Sequence, residues 1–290
     1  RASRLSIVDF GINGGLTQKN VGRLEVLRQA GVMGFGEIFM GESTNARAVD
    51  METLKSGLEE IAALGLPASV HAEDMGIIAA CEPEARRNQT MYHALARPPE
   101  AETKAVVDVV NMARSIENLR LHLCHLSTSG GVGMVRNAKY IGMSTTCEVT
   151  PHHLLLSESD IKRLGSLSKV NPPLRSAEHV QALWSALRSG TIDILASDHA
   201  PHTLSEKEQH VFDAPSGMPG VETLMPLMLA SVMKNHLSLE RLVDALCTRP
   251  AKLLSIRGKG RIALGFDADI VLFDPKKTER VDADRLHSKA

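Results

Sequence analysis

Two periodicities alternate along this chain. Short apolar runs at residues 5–13, 32–40, 68–71, 119–126, 144–149 and 192–197 read as strands. Between and after them, apolar residues recur at helical spacing over residues 18–30, 51–64, 101–116, 132–140, 178–188, 221–234 and 239–246. In the segment 101–116, Ala105, Val106, Val109, Val110 and Ala113 fall on one helical face. Strands alternating with helices imply parallel strands joined by crossover helices. The pattern therefore predicts an α/β fold of the (β/α)8 TIM-like barrel kind, incomplete here because six strands are readable. A closed barrel needs eight, and it carries its chemistry at the strands' C-terminal ends. An open doubly wound sheet is the competing architecture, but no G-x-G-x-x-G opens a helix.

The end of the chain reads differently. Residues 261–265 and 268–273 look like two strands around a turn at 265–267, with alternation in GFDADIVLFD. This divides the chain into a barrel unit, residues 1–256, and a small β unit, residues 257–290. Two short strands do not form a stable sheet alone, so the unit is expected to need partners from outside the pattern. Six parallel strands likewise leave unpaired edges, which a further segment or another chain is expected to cover.

Composition narrows the function classes. The 290 residues suffice for a substantial core. The formal net charge is -1 with both signs interspersed, which argues against nucleic-acid and membrane partners. Cys81, Cys124, Cys147 and Cys247 form no C-x-x-C pair and read as reduced, mostly buried thiols of a cytoplasmic protein. No signal peptide or long apolar run is visible, so a soluble chain is expected.

The candidate chemistry sits where the strands end. His71 in SVHAED, His125 in LCHLSTSGG and Asp198 in ASDHAPH each follow an apolar run and would project at a barrel mouth. Imidazole nitrogen and carboxylate oxygen suit zinc-type chemistry, with one position left for water. A single histidine of this kind is more often a hydrogen-bonded structural residue; three groups at equivalent strand ends favour a metal site. Glu37 in GFGEIFM lies within an apolar strand, where a carboxylate is costly unless paired or bound to metal. It reads either as a metal-bridging ligand or as a strand-end salt bridge. His152 and His153 in EVTPHHLLLS read as part of a loop that orders the site rather than as ligands. The paired prolines of SKVNPPLR would hold Asn171 and Arg175 still, and a stiff loop bearing an amide suits an imide-like ring. SGMPGVET is a glycine-rich loop whose backbone N–H groups suit carbonyl or carboxylate oxygens, a weak signal by itself.

Taken together, GFGEIFM, HAED, CHLST, EVTPHHLLL, VNPPLR, SDHAPH, GMPGVET and the tail GFDADIVLFD resemble the dihydroorotases of the amidohydrolase superfamily over nearly the whole chain. DHAPH with NPPLR is the most specific part. The resemblance implies reversible, zinc-dependent hydrolysis of dihydroorotate to N-carbamoyl-aspartate in pyrimidine biosynthesis, with one or two ions per subunit. It implies that His71 and His125 are ligands of one metal, that Asp198 is a ligand and the acid/base, and that Asn171, His202 and the backbone near Gly217 contact substrate. It also implies a homodimer or an assembly with aspartate transcarbamoylase, and makes the tail part of a β-sandwich. Two departures stand out. The family's H-x-H, on the first barrel strand, is absent together with the arginine and asparagine that follow it, so residues 5–13 match strand three. Many members also carry a carboxylated lysine directly after GF, where this chain has Gly36 and then Glu37. Adjacent strand residues face opposite sides, so Glu37 needs a bulge to point inward; Glu42 is a second carboxylate for the role. Allantoinases and dihydropyrimidinases share the chemistry with a different ring, and a non-catalytic scaffold that has lost the metal centre is the alternative outside enzymes.

Overall fold

The structure is a computed structural model that describes residues 2–41 and 48–288. Six strands, β1 (Asn13–Gly14), β2 (Gly34–Phe39), β3 (Pro67–His71), β4 (Arg120–Leu123), β5 (Thr145–Val149) and β6 (Ile194–Leu195), pair in sequence order. Every pairing is parallel. Helices Met51–Ala63, Pro99–Ala113, Ser129–Tyr140 and Ala177–Ser189 form the crossovers. This is the TIM-like parallel α/β arrangement that the alternating periods predict.

Alternation within each strand sorts the two faces. Phe35, Ile38, Ala68, Val70, Leu121, Leu123, Cys147 and Val149 enter one core with Leu54, Leu58, Ile61, Val106, Val109, Val135, Leu183 and Leu187 from the helices. The intervening positions Ser69, His71, His122, Thr146 and Glu148 are polar and belong to the opposite face. The helices are buried on one stripe and start at polar caps. Asp50 accepts from the Thr53 amide, and Thr128 accepts from that of Gly131.

Three expected elements differ. Residues 5–13 do not form a strand: Ala2–Leu5 is a short helix and pairing starts only at Asn13. Ile7 (98% exposed) and Val8 are exposed, so apolar alternation there buries no face. The helix expected over residues 18–30 is confined to Leu24–Gln29. Asn20 closes a local turn onto Thr17 and Gly15, and Gly22 has a positive φ. The two tail strands are not formed. Leu264 and Leu272 are fully exposed, although the turn at Gly265 is present. A hairpin without a third strand or a covering helix gains too little burial to hold. The tail meets the N-terminal segment through Lys259, which pairs with Asp9, Asp267 and Asp269 at the surface. Among the described residues, no helix is long and apolar enough to cross a membrane.

Gly36 marks the tightest contact between β2 and β3. Its φ is +150°, and a Cβ there would lie 2.6 Å from Ser69 Cβ and 2.7 Å from Ser69 O. Gly36→Ala should therefore lower unfolding stability by about 1–3 kcal/mol, measured by urea denaturation. An unchanged midpoint would show that the strands separate freely.

Candidate metal centre

A register change in β2 builds the site. Phe35 pairs with Ala68 and Ile38 with Val70, so three steps on β2 match two on β3. The extra residue is a bulge, and it lets Phe35 and Ile38 both reach the core although they are three apart. Glu37 is thereby turned to the opposite face, as inward ligation requires. The position directly after GF is Gly36, where Ser69 leaves no room for a side chain. Glu42 lies outside the described residues.

Glu37, His71 and His125 meet at one point. Glu37 Oε1 is 3.0 Å from His71 Nδ1 and 2.5 Å from His125 Nε2, and the two ring nitrogens are 3.1 Å apart. One ligand atom from each residue lies within 4.8 Å of the others. Both imidazoles are buried, whereas the Glu37 side chain keeps 28% of its exposure. The ion-pair reading of Glu37 thus holds in an unusual form, because its partners are these two imidazoles.

The second nitrogen of His71 explains the geometry. His71 Nε2–H donates to Glu73 Oε2 at 2.8 Å. A neutral His71 therefore presents the lone pair of Nδ1 to Glu37 and His125. Carboxylate and imidazole lone pairs facing each other in a buried place repel unless a proton or a cation lies between them. That is the donor set of a cation site, and the carboxylate behind the histidine is the arrangement that orients metal ligands.

The electrostatics carry the same signature. Burial disfavours charge on His125, but Glu37, with help from Asp198 and Glu148, raises its pKa to about 10. His71 is also raised: burial opposes, and the bonds to Glu37 and Glu73 prevail. Glu37 stays well below the carboxylate range despite burial, held there by the two imidazoles. Glu73 is likewise held low, against full burial, by Arg97, His71 and Arg175. Its Oε2 accepts from Arg97 Nη1 at 2.5 Å.

A buried network supports this ligand shell. Arg175, 2% exposed, donates to the Arg97 carbonyl and to Ser127 Oγ. Glu102 accepts from the amides and hydroxyls of Ser127 and Thr128, two and three residues after His125. Arg175 was expected to be held still by the NPPLR segment; here it is also the bridge between the two histidine-bearing loops.

Asp198 follows β6 and is not one of the three converging donors, but it feels their charges. Burial raises its pKa to about 6; His125 opposes this, and Glu37 and Glu148 add to it. Asp198 and His125 both adopt positive φ, 45° and 30°, conformations that cost of order 1–3 kcal/mol and concentrate at functional strand ends. His199, next in the chain, accepts from the Gly220 amide at 3.0 Å, and so places the 216–220 loop beside Asp198.

Of the remaining residues, His202 lies against this loop. Asn171 is buried, and His202 Nε2–H donates to Ser216 O at 3.2 Å. His202 and Gly217 line a cavity of about 320 Å³. The Gly217 N–H is spent on Lys169 O, and its carbonyl accepts from Lys207 Nζ. An oxygen ligand at Gly217 must therefore find its donor elsewhere in the loop. His153 donates through Nε2 to Pro172 O at 3.0 Å, leaving Nδ1 to accept from Thr150. This is the loop-ordering part expected of Pro-His-His. Burial, with a further push from His125, lowers His152 to about 3, so it is neutral at physiological pH.

Sequence reasoning passed over Glu73, Arg97 and Glu102. Glu73 lies two residues after His71 in the quoted HAED, and this spacing was the available signal. Arg97 and Glu102 come from a separate segment and carried none.

Known proteins agree with this architecture. The amidohydrolase family profile matches residues 31–287. The dihydroorotase of Methanosarcina acetivorans is 46% identical over 298 aligned positions, covering 100% of this chain and 63% of that protein. The allantoinase of Rubrobacter xylanophilus is 36% identical, covering 97% of this chain and 63% of that protein. The solved L-hydantoinase (dihydropyrimidinase) of Arthrobacter aurescens superposes with a TM-score of 0.86 at 35% identity, over 90% of this chain and 60% of its own. The chain thus spans just under two thirds of the length of such relatives. By profile, identity and fold, it belongs to the amidohydrolase family.

Proposed function

We propose that this chain carries the catalytic part of a metal-dependent cyclic amidohydrolase whose substrate is dihydroorotate, opened reversibly to N-carbamoyl-aspartate in cytoplasmic pyrimidine biosynthesis. The observation that carries the reading is the convergence of Glu37 Oε1, His71 Nδ1 and His125 Nε2, with Asp198 within reach of their charge. Its donor chemistry fits a zinc-class ion, which lowers the pKa of water towards about 7 and polarises a carbonyl.

Hydrolysis adds OH to the ring carbonyl carbon and H to the ring nitrogen as the C–N bond breaks. In this reading Asp198 carries the proton between them. It accepts the proton as water attacks, then delivers it to the departing nitrogen; a single carboxylate serves both steps if it reaches both atoms. Its raised pKa favours that exchange near neutrality. Asn171, His202 and the 216–220 loop hold the ring and its carboxylate, giving the advantage of a fixed approach. Glu73 and Arg97 act through His71 by fixing its tautomer. The DHAPH–NPPLR pair and the dihydroorotase relatives favour this ring. The allantoinase and hydantoinase relatives make their own substrates the second reading.

Three outcomes test the reading. At pH 7, His125 carries a proton in the metal-free chain because its pKa is about 10, above the ordinary 6.5. A cation must displace that proton, so binding should release about one proton per ion and tighten as pH rises towards 10. Calorimetry in two buffers of different ionisation enthalpy reads this, and a buffer-independent heat contradicts it. Removing the orienting carboxylate in Glu73→Gln should weaken metal binding by about 10–100-fold, measured by competition with a chelator; wild-type affinity would deny Glu73 its role. In the protein at its natural length, Asp198→Asn should lower kcat by about 10²-fold or more with an unchanged denaturation midpoint. Assays on dihydroorotate, allantoin and dihydrouracil accompany it. Near-normal turnover refutes the acid/base assignment, and a preference for another ring refutes the substrate.

A further inference from the structure

Lys207 closes the short helix Leu204–Lys207 that follows the DHAPH segment. It is buried, yet among the described residues no carboxylate pairs with it. A buried ammonium without a counter-charge is costly, and here backbone carbonyls take the place of its water. Nζ donates to Lys169 O at 2.9 Å, to Pro215 O at 3.0 Å and to Gly217 O at 3.0 Å. An ammonium has three N–H groups, so every donor is spent. These carbonyls belong to two separate segments: Lys169 lies two residues before Asn171, and Pro215 and Gly217 flank Ser216 at the start of the glycine-rich loop. We infer that Lys207 is a positioning residue whose ammonium sets the spacing between the Asn171 segment and the 216–220 loop, a role that rests on the ring contacts proposed above for both.

Two sets of bonds hold the loop. The first ties it to the chain that carries Asp198. The Ala200 N–H donates to Met218 O at 3.0 Å, and His199 and Met218 form a parallel bridge. Gly217 approaches so closely that a Cβ there would lie 2.5 Å from Ala200 O. The second set ties the loop to the segment before Asn171. The Gly217 N–H donates to Lys169 O at 2.9 Å, and Lys207 joins that same carbonyl to those of Pro215 and Gly217. Lys169 returns the contact, because its Nζ donates to Val211 O at 2.8 Å and to Phe212 O at 3.3 Å. Three carbonyls aimed at one nitrogen fix direction as well as distance. A methionine has nearly the length of lysine and can fill the same cavity wall beside His202 and Gly217, but it donates nothing. Exchanging the two removes the tie with little change in packing.

In the zinc-loaded protein at its natural length, Lys207→Met should speed amide hydrogen exchange across residues 208–220 by at least about tenfold. The segments around His71 and His125 should exchange as before. On whichever ring the unmutated protein turns over best, KM should rise by about tenfold or more while kcat stays within about threefold, the pattern of lost binding shared by ground and transition states. Unchanged exchange, or faster exchange with an unchanged KM, overturns the assignment. If the unmutated protein opens none of the three rings, the hydrolase reading fails, and exchange alone decides whether Lys207 ties the loop. If Lys207→Met does not fold, the unmutated protein gives the same two readings on either side of pH 8. Burial, with a push from Lys169, lowers Lys207 to about 8. The other charged or titratable groups around it are Asp213, which supports the charge on Lys169, His202 on the same cavity wall, and Glu206, which caps Thr203. Below pH 8 all three donors are present; above it a neutral amine turns a lone pair on a carbonyl. KM, and exchange corrected for its intrinsic pH dependence, should both rise as pH passes about 8, and flat values overturn the assignment.

Discussion

Three lone pairs aimed at one buried point are the constraint on which this structure turns. Glu37, His71 and His125 cannot face each other at 2.5–3.1 Å unless positive charge lies among them. In the metal-free chain that charge is a proton, and the raised pKa of His125 is its trace. A divalent cation meets the same demand more fully, because it satisfies all three donors together. Glu73 turns this from accident into design by holding the opposite nitrogen of His71.

The rest of the fold keeps the donors in place against that repulsion. The three residues come from β2, β3 and the loop after β4, so the parallel pairing of those strands sets their separation. The bulge in β2 supplies the direction of Glu37. Behind the ligands, two buried carboxylates, Glu73 and Glu102, are joined through Arg97, Ser127 and Arg175. Buried charges in such a network gain little net stability, but losing one partner is costly because the others stay behind unpaired. The network is therefore better understood as fixing the position of the histidines than as holding up the barrel.

Much of this could be read from residues alone, for reasons that also explain the failures. Strands β2 to β5 and the crossover helices were legible because each buries an apolar face, and burial imposes period. His71, His125 and Asp198 were legible because a polar residue after an apolar run marks a strand end. Residues 5–13 and the tail carry the same alternation but leave their apolar side chains exposed, and periodicity without burial does not make a strand. The inward turn of Glu37 depends on one extra residue in β2 relative to β3, a register relation that only pairing reveals. Arg97 and Glu102 were silent because their meaning comes from contacts with segments far away in the chain.

The central claim is that one cation sits among those three atoms. Anomalous diffraction at the zinc edge from crystals of the zinc-loaded protein tests it directly. The account predicts a peak at about 2.0–2.2 Å from Glu37 Oε1, His71 Nδ1 and His125 Nε2, with Glu73 still bonded to His71 Nε2. A loaded crystal with no peak at that point, or with His71 reversed so that Nε2 meets the ion, would contradict it.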